Sequence, residues 1–103
     1  MSFTTDAVIS CSSGRTLTLI NAFFPEGEGF VSCNSSELPR GWYGGTKLLG
    51  DGFAVGCFNY LQLDELKTHI LSLTGLGGEY VHLLTHREDQ TTFQVWHHEF
   101  RPS

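Results

Sequence analysis

Basic residues are scarce in this chain. Six Lys and Arg stand against eleven Asp and Glu, a formal net charge of −5 over 103 residues. The six are Arg15, Arg40, Lys47, Lys67, Arg87 and Arg101, each isolated in sequence. Nucleic-acid affinity comes mostly from phosphates neutralised by clustered Lys and Arg, so a nucleic-acid partner is not expected. An anionic membrane surface is disfavoured on the same ground. Apart from Asp64-Glu65 and Glu88-Asp89, the acidic residues are dispersed too, and the dense acidic face needed to mimic a nucleic acid is missing. The three cysteines, Cys11, Cys33 and Cys57, are odd in number and widely spaced, with no Cys-x-x-Cys pair, which fits reduced thiols better than a disulfide framework. Residues 1–6 lack the basic segment and apolar run of a secretory signal, and no apolar stretch is long enough to span a bilayer. A cytoplasmic location is therefore expected. No repeat and no linker-like composition divides the chain.

What is present is bulk. Hydrophobic residues make up 40% and aromatics 13%, with eight phenylalanines, enough for one core in one domain spanning residues 1–103. Two β-rich runs, 6–12 and 15–24, flank Ser13-Gly14. Glycine supplies the positive φ of a tight turn, so they read as a hairpin with Val8 opposite Leu19 and Ser10 opposite Leu17. The alternation of Thr16-Leu-Thr-Leu19 supports a strand there. Pro25 and the glycines after it end that run, and Phe30 to Cys33 forms a short third strand. Residues 34–52 are irregular, and long loops are where contact surfaces are sought first. Residues 53–61 resume as a strand whose small residues, Ala54 and Gly56, imply that another element packs closely above it.

A helix follows. Asp64 and Glu65 suit the positive end of its dipole, Gly75 and Gly77-Gly78 stop it, and Leu63, Leu66, Ile70 and Leu73 form an apolar stripe widened by Leu71. Residues 79–86 and 91–99 make a second hairpin around Arg87-Glu-Asp-Gln90. The order is β-β-(β)-β-α-β-β: an α+β domain, four to five antiparallel strands with one helix packed on one face.

Four of the five histidines lie in that last hairpin. With Glu88-Asp89 at its tip, His82 faces Val95, Tyr80 faces His97, and the two histidines are diagonal neighbours on one face. His86 lies about 13 Å along the strand from His82, too far to share an ion, and His98 points to the other face. One histidine pair falls short of the three or four ligands a metal needs, so neither metal nor cofactor is expected. His69, four residues after Glu65, reads as half of a surface pair on the helix. Cys57 lies within a strand, where a packed, inert thiol is the ordinary outcome, and Cys33 borders the irregular segment. Cys11-Ser-Ser-Gly-Arg15 has three residues between Cys and Arg where a phosphatase loop has five. Gly44-Gly-Thr-Lys47 inverts the Gly-Lys-Ser/Thr order of a phosphate loop, and no Gly-x-Ser-x-Gly elbow exists. No catalytic residue is assigned, and the chain is not expected to be an enzyme.

Trp42 and Tyr43 sit between glycines in the irregular segment, and Trp and Tyr are enriched at protein interfaces. With Tyr80, His82, Phe93, Trp96 and His97 of the hairpin they are the candidate protein-binding residues. The expected function is non-catalytic protein binding by a small acidic inhibitor, immunity-type or antagonist protein of phage or bacterial kind, acting on a larger macromolecular target. Two alternatives stand beside it: a homo-oligomeric, for instance homodimeric, ligand-binding or structural subunit, and a small histidine-dependent metal protein or enzyme.

Overall fold

The computed structural model describes residues 4–32 and 52–101. Seven elements follow one another there: β1 (Thr4–Cys11), α1 (Gly14–Asn21), β2 (Val31–Ser32), β3 (Phe53–Asn59), α2 (Leu63–Ser72), β4 (Tyr80–Arg87) and β5 (Gln94–Glu99). The strands form one sheet in the order β2-β3-β1-β4-β5. Every pairing is antiparallel. This is the α+β architecture expected, with β1, first in the chain, at the centre of the sheet.

The expected hairpin across Ser13-Gly14 does not form, because residues 14–21 are helical. Ser13 is the N-cap of α1, its Oγ accepting from the Thr16 amide at 3.3 Å. Thr16, Leu17 and Ile20 are buried together. That i, i+1, i+4 spacing lies on one helical face, whereas in a strand Leu17 and Ile20 would point to opposite sides. Thr18 Oγ1 donates to the Gly14 carbonyl at 2.9 Å, so a β-favouring side chain is accommodated by bonding back to the turn below. Burial of one helical face overrides the strand propensity of the threonines. After α1, Asn21 clamps the chain: its Nδ2 donates to the Phe30 carbonyl at 3.0 Å and its Oδ1 accepts from the Phe30 amide at 2.8 Å.

Parity along the strands divides the sheet. Ala7, Ile9 and Cys11 of β1, Ala54 and Phe58 of β3, and Val81 and Leu83 of β4 are buried on one face. Leu17 and Ile20 of α1 and Leu66 and Ile70 of α2 complete that core with Phe30, Leu76 and Phe100. Both helices therefore cover the same side. Gly56 leaves room for the ring of Phe58, two residues along the same face, and a Cβ at Gly56 would collide with that ring. At Gly56 the space expected for another element is thus taken by a side chain of the same strand, while Ala54 is buried in the core. Leu63 and Leu73 pack at the margin of the core, but Leu71 is 55% exposed and does not widen the apolar stripe of α2. His69 binds α1 instead of pairing with Glu65: its Nε2 donates to the Leu19 carbonyl at 3.0 Å. No helix among the described residues is long and apolar enough to cross a membrane.

Candidate functional site: the uncovered face of the sheet

The other face of the sheet carries neither helix and, among the described residues, is uncovered. Reading across its strands at the level of Val8, the paired residues are Val31, Val55, Val8, Leu84 and Val95. One apolar row thus crosses all five strands. Val95 is 75% exposed, Val31 66% and Val55 40%. A solvated antiparallel face ordinarily alternates to polar residues at such positions, and large exposed apolar patches mark interaction sites.

Levels richer in polar groups flank the row. Toward the end of β1 lie Phe53, Ser10, His82 and His97; toward its start lie Cys57, Asp6 and His86. His82 and His97 are directly opposite, with ring centroids 4.5 Å apart. Tyr80 stands edge-on to His82 at 5.3 Å, and Phe93 lies 5.1 Å from His86. The Nε2 of His97 is 3.6 Å from Glu99 Oε1.

The hairpin is two residues out of the expected register: Leu84 faces Val95 and Tyr80 faces Glu99. The turn chemistry explains the shift. The Gln90 amide donates to the Arg87 carbonyl at 2.8 Å, the Glu88 amide donates to Thr4, and Arg87 holds Asp89 through Nε and Nη2. This Arg87–Gln90 knot belongs to the start of β1, and pairing resumes only at Gln94. An even shift preserves which face each side chain takes. His98, as expected, lies on the helix-bearing side, its ring 4.6 Å from that of Phe100.

Tyr80, His82 and His97 are thus brought together at one flank of the uncovered face, and Phe93 lies beside His86 at the other. Trp96 is not among them: it packs at the margin of the core beneath Lys67, whose Nζ lies 5.9 Å from its ring. Trp42 and Tyr43 lie outside the described residues. Val8, Val31, Val55, Leu84 and Val95 were absent from the sequence-derived candidates. Each looks like an ordinary strand residue, and only the strand order aligns the five.

Both described thiols are shifted upward from the ordinary cysteine value. Burial, and secondarily the charge of Glu79, pushes Cys11 up to about 12. Cys57 is exposed, and its hydrogen bond with Asp6 raises it, aided by some desolvation and by the charges of Asp6 and Glu88. No three His, Cys, Asp or Glu side chains converge as metal ligands among the described residues. A groove of about 610 Å³ beside β3 is lined by Phe24, Glu28, Phe58 and Tyr60 among others. Phe24 and Phe58 already stack on each other there at 4.8 Å. Compared with protein-family models, with curated proteins and with solved structures, the chain matches none.

Proposed function

We propose that this chain is a non-catalytic protein-binding domain, of the small acidic antagonist kind, and that the uncovered face of the sheet is its contact surface. The apolar row crossing all five strands carries this reading. Apolar surface left in water is unfavourable by roughly 25 cal/mol per Å², so covering the row favours association. The surround has the composition of an interface: aromatic side chains at Tyr80 and Phe93, hydrogen-bonding groups on imidazoles, and charge confined to the flanking levels. In the antagonist form of this reading the occupant is a larger macromolecular target.

Val55 tests the proposal because it is 40% exposed and can change without opening the core. Wild type and Val55→Glu, first shown to unfold at the same temperature, serve as baits in the native host's extract. Capture of the target by Val55→Glu is expected to fall at least about tenfold, the scale of a central contact residue. Equal capture by both baits refutes the assignment of this face.

A further inference from the structure

The edge of the sheet along β3 is incomplete. β2 is two residues long and pairs only with Val55 and Ala54. Beyond it β3 continues from Gly56 to Asn59, paired with β1 alone. The phase of the hydrogen bonds shows which backbone groups this leaves open. The Cys11 amide donates to the Gly52 carbonyl, so alternate residues from Gly52 to Phe58 face β1. Cys57 and Asn59 turn their N–H and C=O groups outward, and among the described residues no backbone group meets them. In register, Gly29 would lie opposite Cys57, but the chain has left the ladder there. Asn21 holds Phe30, and the Glu28 amide donates to the Pro25 carbonyl in a turn of its own. Neither proline nor lysine, the usual guards against strand addition, occurs from Gly56 to Asn59.

Between that turn and the open edge runs the groove of about 610 Å³, lined by Phe24 and Glu28 on one side and by Cys57, Asn59 and Tyr60 on the other. We infer that this groove takes a short extended segment of a partner protein, which adds antiparallel to β3 as the strand that β2 is too short to supply. The site stands apart from the apolar row. N–H and C=O groups open at a two-residue spacing are what an extended peptide matches, because its own alternate residues present the same groups at the same spacing.

The slot also selects side chains. Val31 closes one end, and Tyr60, whose φ of 57° takes it out of the strand, closes the other. About three or four extended residues fit between them. The middle one, opposite Phe58, points to the helix-bearing side, where the stacked rings of Phe24 and Phe58 favour a large apolar group. Its two neighbours, opposite Cys57 and Asn59, point to the other face, where Asp6 is the cross-strand partner of Cys57. Glu28 is the only charged residue of the lining, and the chain carries −5 overall. Charge complementarity therefore calls for Lys or Arg beside the apolar residue.

Panning a displayed library of random heptapeptides on the full chain tests the inference. Enriched sequences should carry a large apolar residue next to Lys or Arg. The dominant one, made as a capped synthetic peptide, should bind wild type with a dissociation constant of about 10 to 100 µM, the scale of so short a contact. Asn59→Pro removes one outward amide at a position where an edge strand tolerates proline, and should weaken binding at least about tenfold. Asn59→Ala keeps that amide and should bind within about twofold of wild type. Methylating the amide nitrogens of the two peptide residues that flank the apolar one should cost as much as Asn59→Pro. A library that yields no peptide binding wild type in solution overturns the inference. Binding indifferent to either Asn59→Pro or peptide methylation overturns it as well, since the edge is then not the contact. Should circular dichroism show Asn59→Pro unfolded, methylation decides alone. Enriched sequences with acidic flanks also overturn it, because Glu28 and Asp6 would repel them. Asn59→Pro leaves the apolar row untouched, so this outcome is separate from capture of a target by Val55→Glu.

Discussion

Cys11 and Cys57 carry the same group in opposite settings. Cys11 is 7% exposed in the core, while Cys57 lies on the uncovered face beside Asp6. For Cys11 the sign of the pH effect follows from its thiol, raised from 9.0 to about 12 in the fold. The folded chain keeps that proton where the unfolded chain has lost it, so stability is full below pH 9 and declines as the pH rises toward 12. By pH 10.5 the loss amounts to about 2 kcal/mol. Urea unfolding of wild type and Cys11→Ala at pH 7.5 and 10.5 measures it. Wild type should lose more stability than the variant, and equal losses in the two contradict the assignment. Neither the count nor the spacing of the cysteines distinguishes the two settings. Burial does, and burial belongs to the fold.

At the scale of elements, α1 and α2 show how far local pattern reaches. In α2 the acidic first turn and Leu66 and Ile70 at a four-residue spacing agree, and sequence alone locates this helix, although it ends at Ser72, with Leu73 extended, ahead of the expected stop at Gly75. In α1 the local signals conflict. Threonines alternating with leucines suit a strand, while Ser13 three residues before Thr16 suits a cap. The cap wins because the sheet offers a core for Thr16, Leu17 and Ile20, and because Glu79 stands at the helix N-terminus, accepting from Ser12 and Ser13. A carboxylate there also complements the helix dipole. Ser13→Ala should cost about 1 kcal/mol in chemical denaturation. A change below a few tenths would mean that the cap is not what fixes this segment as a helix.

At the scale of the molecule, the position of β1 dominates. It pairs with β3 and with β4, and both partners lie more than forty residues away in sequence, as Val8 with Val55 and Val8 with Leu84 illustrate. The sheet cannot close until the later half of the chain is available, and non-local pairing of this kind is slow. Stopped-flow refolding should fall in the range of about 1 ms to seconds. Refolding complete within about 100 µs would show that local contacts, not the central strand, limit the reaction.

The sequence by itself determined the class of the fold, the second helix, the last hairpin and the face taken by each of its histidines. These depend on period and parity over short stretches, which the order of residues encodes directly. It could not determine that residues 14–21 are helical, that β1 lies at the centre, or that Val31, Val55, Val8, Leu84 and Val95 share a row. Each depends on which strands become neighbours, and neighbours are chosen by the burial of surfaces distant in the chain. The uncovered face is therefore a product of tertiary structure: five unremarkable strand residues become one surface only when the sheet assembles in the order β2-β3-β1-β4-β5.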